Sequence, residues 1–155
     1  VYIIENNRYG MGTSLERASG QTNLARRGEG FDIPGEQVDG MDIRMTFDAA
    51  KRAIQHARDG KGPYILEMLT YRYRGHSMSD PAKYRSKDEV TTMRAEHDPI
   101  EQVKSRILEK RYGSEESLKQ IEAEVRAIIT DAADFATNDA EPAASELWTD
   151  VYAEA

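Results

Sequence analysis

The chain has 155 residues, of which 39% are hydrophobic and 32% are charged, and its formal net charge is −7. This length suits about one domain with a core of its own. The acidic balance argues against a nucleic-acid partner, because phosphate backbones are bound by many Lys and Arg side chains on one face. No apolar run is long enough to span a bilayer, so no membrane partner is expected. The absence of cysteine excludes disulfides and thiolate chemistry and leaves oxygen and imidazole as metal ligands.

The first segment of the chain is typical of a buried strand. Residues 1–4 are apolar and rich in β-branched side chains, and Asn and Gly residues follow at once. Because a domain rarely starts with such a strand, we expect the chain to be a C-terminal fragment whose N-terminal part is missing. Residues 13–30 are polar and predict a long loop with a weakly helical stretch at residues 24–27.

A strand, a helix and a second strand are predicted next. A short strand is expected near residues 37–39, and residues 64–70 form a clear second strand. Between them, apolar residues recur at helical spacing: Phe47, Ala50, Ile54 and Ala57. This order predicts a parallel α/β unit, because two parallel strands need a crossover connection.

The last part of the chain predicts helices. Asp98 followed by Pro99 is a good helix start, and Ser114 caps a longer helix. Apolar residues at three- and four-residue steps give that helix a narrow seam: Leu118, Ile121, Val125, Ile128, Ala132 and Phe135. We expect the seam to be buried on its own domain rather than in an isolated coiled coil. The predicted division is an α/β part, residues 1–97, and a helical part, residues 98–155.

Two segments carry polar groups that could do chemistry, and the first follows the first strand. Asn6 and Asn7 stand where open α/β sheets bind ligands, and an Asn side-chain oxygen suits a hard cation such as Mg²⁺. An ordinary turn explains the same residues, since Asn and Gly are common turn formers. Composition alone favours the turn.

The second segment is a basic stretch after the second strand. Arg72 and His76 supply donors that suit a diphosphate, with the hydroxyls of Ser77 and Ser79 beside them. The alternative is a solvated, flexible loop, which is less favoured because the bases directly follow a buried strand in an acidic chain. No phosphate-binding Gly-Lys-Ser/Thr loop, Gly-x-Ser-x-Gly elbow or His-Glu-x-x-His helix occurs in the sequence.

These two segments resemble a known family. The sequences ENNRYGMGTS (residues 5–14) and YRYRGHSMSDP (residues 71–81) are similar, almost residue for residue, to pyruvate dehydrogenase alpha subunits of the thiamine-diphosphate-dependent 2-oxo acid dehydrogenase family. The resemblance continues through residues 38–42, 60–63, 98–100 and 146–150, and so covers essentially the whole chain. It implies a partial thiamine-diphosphate-binding α/β fold followed by C-terminal helices.

The resemblance also implies roles for individual residues. Asn7 would give its side-chain oxygen, and Tyr9 its backbone carbonyl, to the Mg²⁺ that bridges the diphosphate, while an acidic ligand would belong to the missing segment. Arg72 and His76 would approach the diphosphate, with His76 the best catalytic candidate of this chain. Met11 would pack near the cofactor rings.

The implied reaction is oxidative decarboxylation of pyruvate, with transfer of the two-carbon unit to a lipoyl group of an acetyltransferase component. The implied assembly is a heterotetramer of two alpha and two beta subunits. The beta subunit would supply the glutamate that activates the cofactor, so this chain alone is expected to be inactive. The short C-terminal end favours a bacterial cytoplasm over a mitochondrial matrix.

Two serines correspond to regulatory positions in the family. Ser77 matches the main inhibitory phosphorylation site of mitochondrial relatives, and Ser14 matches another. A third such site would fall near Lys83, where this chain has no serine, which argues against kinase regulation.

Two other functions remain open. One is an alpha subunit that acts on branched-chain 2-oxo acids or acetoin, although residues 78–81 favour the pyruvate type. The other is a non-catalytic interaction module, which the helical seam and the missing acidic ligand would suit.

Overall fold

The structure is a computed structural model that describes residues 1–152. The chain divides into two compact units, Val1–Arg106 and Ile107–Ala155. The first unit holds the sheet and both polar loops, and the second begins at Ile107 with the end of a helix. No helix within residues 1–152 is both long and apolar enough to cross a membrane.

The first unit is built around a parallel sheet. The strands of the chain are β1 Tyr2–Asn6, β2 Tyr9–Gly10, β3 Thr13–Ser14, β4 Gly35–Asp39 and β5 Ile65–Leu69. In the parallel sheet β5 lies between β1 and β4, and a small antiparallel ribbon of β2 and β3 follows β1. The strands of the sheet begin and end close to the predicted positions, and the helix between β4 and β5 makes the predicted parallel crossover.

Helices account for most of the remaining structure. The α-helices are α1 Leu15–Ala18, α2 Ile43–Arg58, α3 Lys87–His97, α4 Pro99–Glu109 and α5 Glu115–Asn138. Two 3₁₀ helices, Leu24–Phe31 and Ala144–Trp148, complete the helices within residues 1–152. The expectation of a long loop over residues 13–30 is wrong where β3 and α1 lie, whereas its helical stretch at residues 24–27 is confirmed as the start of the first 3₁₀ helix.

The core forms where α2 packs on the sheet. Ala49 and Ala53 are fully buried on the helix and lie in one cluster with Val38, Leu66 and Met68 of β4 and β5. The periodicity of the large apolar residues correctly predicted the helix. It did not predict the buried face, because Phe47 and Ile54 are exposed and small alanines face the strands.

Asp42 links the start of α2 to α4. Its carboxylate accepts hydrogen bonds from the N–H groups of Arg44 and Met45, which caps the helix, and from the guanidinium of Arg106 at 2.6 Å. The hydrogen bond from Arg106 is the main cause that holds the pKa of Asp42 below its usual range. The same carboxylate therefore serves as a helix cap and as one partner of an ion pair.

Replacing Asp42 by Ala should lower the free energy of unfolding by about 1–2 kcal/mol, because cap and ion pair are both lost. Asp42→Asn keeps the cap oxygen and should cost less than about 1 kcal/mol. Since the folded pKa is depressed, the ionised form stabilises the fold above the unfolded pKa, about 3.9, and this contribution is lost as the pH falls through the folded pKa. Urea unfolding of the full chain should show the wild type and Asp42→Asn converging below about pH 4. A difference independent of pH would contradict this.

Helix α5 differs from the expectation of a buried seam. The helix begins as predicted, with a capping box between Ser114 and Ser117. No residue of α5 is buried, and the side chains of Ile121 and Ile128 are 55% and 66% exposed. The prediction that the seam lies buried on its own domain is therefore wrong for the chain as described here.

The exposed seam predicts a small mutational effect. Ile121→Ala should change the free energy of unfolding of the full chain by no more than about 0.5 kcal/mol, as expected for a surface position. Leu66→Ala is the control, because Leu66 is 1% exposed and should cost about 2–5 kcal/mol. Equal losses for the two variants in urea unfolding would show that the seam is covered after all.

Candidate functional site

The asparagine pair lies at the carboxyl end of β1. Asn6 is the last residue of the strand and is buried, and Asn7 is half-buried just beyond it. This is the edge of a parallel sheet where ligand-binding loops lie. The structure therefore places the pair where the sequence predicted.

Beyond the strand, two short side-chain contacts shape the loop. The Asn6 Oδ1 accepts from the N–H of Arg8 at 3.1 Å, and the Asn7 Oδ1 accepts from the N–H of Tyr9 at 3.3 Å. Arg8 and Met11 have positive φ angles of 71° and 53°, which non-glycine residues adopt only when local contacts hold them. The turn interpretation of the pair is thus correct as local structure, and it leaves a second lone pair on each oxygen for a ligand.

A cavity of about 320 Å³ opens beside this loop. Asn7, Tyr9 and the aliphatic side chain of Leu24 are among its lining residues, and Arg27 adds a positive charge. Neither Arg72 nor His76 lines this cavity. The structure therefore brings together one of the two predicted cofactor-binding segments and part of the first 3₁₀ helix.

Glu67 is a buried carboxylate in the middle of β5. Its side chain is 0% exposed, and it accepts hydrogen bonds from the Asn6 Nδ2 at 2.6 Å and the Ala25 N–H at 3.0 Å. The Gln37 Nε2 donates to it at 3.2 Å. Glu67 was not among the candidate residues predicted from the sequence, although a lone acid in an otherwise apolar strand is the signal that identifies it.

A cluster of Tyr9, Tyr71 and Tyr84 joins two loops. The asparagine loop comprises residues 5–14, and the basic loop comprises residues 70–86. The hydroxyls of Tyr9 and Tyr71 both donate to the Glu89 Oε1, at 3.0 and 2.7 Å. Burial, together with the hydrogen bond to Glu89, raises the pKa of Tyr71 to about 12. Tyr71 therefore stays protonated near neutral pH, and it remains a donor to the carboxylate.

Arg85 packs within the same cluster. Its guanidinium carbon lies 5.8 Å from the ring centre of Tyr9, 5.4 Å from that of Tyr71 and 5.7 Å from that of Tyr84. Its Nε and Nη1 atoms are buried and have no hydrogen-bond partner among the described residues. The guanidinium is therefore placed for cation–π attraction to the three rings.

Asp80 organises the basic loop from within. Its carboxylate accepts from the N–H of His76 at 2.7 Å, from the N–H of Ala82 at 2.8 Å and from the Tyr84 hydroxyl at 2.9 Å. The backbone hydrogen bonds from His76 and Ala82 hold the pKa of Asp80 below its usual range. Hydrogen bonds among the loop's own residues therefore give it a framework.

The predicted residues of the basic loop differ in their exposure. Arg72 is half-buried, whereas the side chains of His76 and Ser77 are exposed. The Ser77 hydroxyl lies 2.9 Å from that of Ser79. Ser14, in the other loop, is half-buried and precedes α1 without a side-chain cap.

The structure also bears on the metal that the sequence suggests. Among residues 1–152, no three His, Cys, Asp or Glu side chains form a group that could hold a metal ion. Oxygen donors beyond β1 include the side-chain amide of Asn7 and the backbone carbonyl of Tyr9, and both residues line the cavity. These are hard, neutral ligands of the kind that Mg²⁺ accepts, and such a site needs at least one carboxylate or phosphate oxygen in addition.

The fold and the site define a class of protein. A parallel sheet with a crossover helix, and with polar loops at the carboxyl ends of β1 and β5, is the arrangement that open α/β proteins use to bind cofactors. Comparison with known proteins identifies the family within this class. Residues 1–145 match the family "Dehydrogenase E1 component", and the chain belongs to that family.

Individual relatives agree with the family. The chain is 66% identical over 151 residues to the pyruvate dehydrogenase E1 component subunit alpha of Rhizobium meliloti, which covers 97% of the chain and 43% of that protein. It is 50% identical to the subunit of the same name from Rickettsia bellii, over 98% of the chain and 46% of the relative. The mitochondrial somatic form from Bos taurus is also 50% identical, over 98% and 39%. The chain thus spans less than half the length of these relatives.

Proposed function

We propose that the chain is part of the alpha subunit of a pyruvate dehydrogenase E1 component. The observation that carries this proposal is the position of Asn7 and Tyr9 at the carboxyl end of β1, beside a cavity, in a chain 66% identical to a subunit of that name. In the proposed enzyme, pyruvate is decarboxylated oxidatively, and a lipoyl group of the acetyltransferase component receives the acetyl unit.

The residues present fit Mg²⁺ and thiamine diphosphate. Asn7 would give its amide oxygen and Tyr9 its carbonyl to the metal, and both groups have lone pairs free for this. The bound cofactor would supply the carbanion and the electron sink for decarboxylation. Met11, 59% exposed in this chain, would lie against the cofactor in the assembled site.

The basic loop would bind the same diphosphate end of the cofactor directly. Arg72 and His76 provide donors for diphosphate oxygens, and charge-assisted hydrogen bonds of this kind are roughly twice as strong as neutral ones. His76 is exposed and its backbone N–H is held by Asp80, so its imidazole is free to turn toward a ligand. We assign to His76 the one catalytic role proposed for this chain, which is to donate a hydrogen bond to the reacting groups.

The proposed assembly is a heterotetramer with the beta subunit. Large apolar side chains are exposed on β1 and α2, among them Ile3 and Phe47 at 67% each. Such surfaces are typical of interfaces in a larger protein. Residues 98–155 would form a helical region, and a partner subunit would cover the exposed seam of α5. The bacterial relatives favour a bacterial cytoplasm over the mitochondrial matrix.

Substrate turnover tests the proposal. The full-length subunit, assembled with its beta subunit, should oxidise pyruvate in preference to branched-chain 2-oxo acids and acetoin when Mg²⁺, thiamine diphosphate and a lipoyl acceptor are present. Preference for another substrate would assign the chain to a related dehydrogenase. Cofactor binding that never occurs, even with the beta subunit present, would support the non-catalytic interaction module instead.

A further inference from the structure

Glu67 is an ionisable group with no role in the function described above. A buried carboxylate is costly unless hydrogen bonds replace its hydration. Here the donors are three neutral groups, the side-chain amides of Asn6 and Gln37 and the backbone N–H of Ala25. Each donor belongs to a different element: β1, β4 or the first 3₁₀ helix. The carboxylate therefore connects three elements at one point.

The contact with Asn6 fixes which end of that amide faces the loop. Because the Nδ2 donates to Glu67 at 2.6 Å, the Oδ1 must point the other way, where it accepts from the Arg8 N–H at 3.1 Å. That bond closes the turn in which Arg8 has a φ of 71°. Asn7 lies inside this turn, between Asn6 and Arg8, so the turn also fixes the backbone from which the Asn7 side chain projects.

The contact with Ala25 fixes the position of a second segment beside the cavity. Ala25 belongs to the first 3₁₀ helix, and its neighbour Leu24 lines the same cavity as Asn6 and Asn7. One carboxylate thus connects Asn6, where the asparagine loop begins, to the 3₁₀ helix that lines the same cavity. A surface charge could not do this, because solvent would compete for the donors.

We propose that Glu67 is a positioning residue for the cofactor loop: it orients the Asn6 amide and so presents Asn7 to Mg²⁺. This inference rests on the proposed function for the metal, but the orientation of Asn6 does not. Residues that hold metal ligands through hydrogen bonds commonly change metal affinity by about 10–100-fold when they are replaced.

The network offers a test by reversal of polarity. Glu67→Gln places an amide nitrogen against a donor, and Asn6→Asp places two carboxylates in contact. The double variant restores every bond with the donor and acceptor exchanged between the two side chains. The new amide at position 67 donates to the new carboxylate at position 6 and accepts from Ala25 and Gln37, while that carboxylate also accepts from the Arg8 N–H.

Glu36→Gln is the matched control for the loss of a carboxylate. Glu36 lies on β4, as a neighbour of the same sheet, but its carboxylate accepts from the Arg52 guanidinium at 2.7 Å and from the Tyr64 hydroxyl at 3.3 Å. It has no contact with the asparagine loop among these hydrogen bonds. Its replacement should therefore leave Mg²⁺ affinity unchanged.

Two measurements on the full-length assembled complex test whether Glu67 orients Asn6 and so presents Asn7 to Mg²⁺. The first is titration with Mg²⁺ at fixed thiamine diphosphate, followed by protein fluorescence. Both single variants should bind Mg²⁺ about 10–100-fold more weakly, and the double variant should recover to within about threefold of wild type. The second is amide hydrogen exchange without cofactor, in which the Arg8 N–H should exchange about tenfold faster in the single variants only.

The outcomes separate the two proposals. Wild-type Mg²⁺ affinity in Glu67→Gln, or no recovery in the double variant, would overturn the positioning role. Stronger binding by Asn6→Asp alone would show a simple charge effect and would overturn it too. If the single variants do not assemble, failure of the double variant to bind Mg²⁺ would overturn the positioning role of Glu67. A wild-type complex that binds no cofactor would refute the proposed function, and unaltered Arg8 exchange would refute the orientation of Asn6 independently.

Discussion

Replacing Asn7 by Ala in the assembled enzyme should weaken Mg²⁺-dependent binding of thiamine diphosphate by about 100-fold or more. The loss of a direct ligand should exceed the roughly 10–100-fold effect of losing an outer-shell partner. Ala also removes the acceptor for the Tyr9 N–H, which Asn7 binds at 3.3 Å. Excess Mg²⁺ and cofactor should restore part of the activity, because the defect lies in binding. Isothermal titration of the cofactor at several Mg²⁺ concentrations measures the effect.

Asn7→Asp is the matched control for this prediction. The Asp side chain keeps an oxygen for the metal and an acceptor for the Tyr9 N–H. It should therefore retain Mg²⁺-dependent binding where Ala does not. Unchanged cofactor affinity in Asn7→Ala would remove Asn7 from the metal site, whatever the control shows.

Replacing Ser77 by Glu should lower the turnover of the assembled enzyme by about tenfold or more, the range of one lost hydrogen bond to a charged group. The new charge would stand beside His76 and would repel both the diphosphate and the Asp80 carboxylate. Asp80 donates its own N–H to the Ser77 carbonyl at 3.1 Å, so the two residues are close. The loop framework and the cofactor contact should weaken together.

Two control variants isolate the charge. Ser77→Gln has the size of the Glu variant without its charge, and Ser77→Ala removes the hydroxyl alone. Trypsin cleavage after Arg72, Arg74 or Arg85 should slow when thiamine diphosphate is added to the controls and stay fast in the Glu variant. Equal protection and equal turnover in all three would show that this loop neither meets the diphosphate nor controls access to it.

The sequence predicted the parallel unit well because its signals are local. Strand β5 is a largely apolar run, and the residues around Phe47 repeat at helical spacing. The same spacing failed to identify the buried face of α2, since packing close to a sheet favours Ala49 and Ala53 over larger side chains. The apolar seam of α5 failed similarly, because periodicity shows that one face is apolar but not what covers it.

Helix α3 was not predicted from the sequence at all. Its residues have little amphipathic pattern, so periodicity does not reveal it. Ser86 with Glu89 three residues later is a start signal that would have done so, and the Ser86 hydroxyl does accept from the Glu89 N–H at 3.0 Å. Omitting α3 also hid Glu89, the acceptor that joins the two loops.

The candidate site was predicted only in part. The Asn7 and Tyr9 positions could be identified from their motif, and the structure places them at a strand end beside a cavity. The contacts of Glu67 with Asn6 and Ala25 span 61 and 42 positions of the sequence. No local pattern encodes such pairs: the register of β1 and β5 brings Asn6 to Glu67, and the first 3₁₀ helix brings Ala25 to it.

The shared acceptor Glu89 has a consequence for protein engineering. Tyr9 and Tyr71 come from different loops but bind the same oxygen atom. In a library of variants that changes one loop and keeps the other, the Glu89 carboxylate would shift to suit the changed loop. The tyrosine hydroxyl of the unchanged loop would then lose its hydrogen-bond geometry. Tyr9, Tyr71 and Glu89 should therefore be varied as one block, and a transplant of either loop into another scaffold should carry α3 with it.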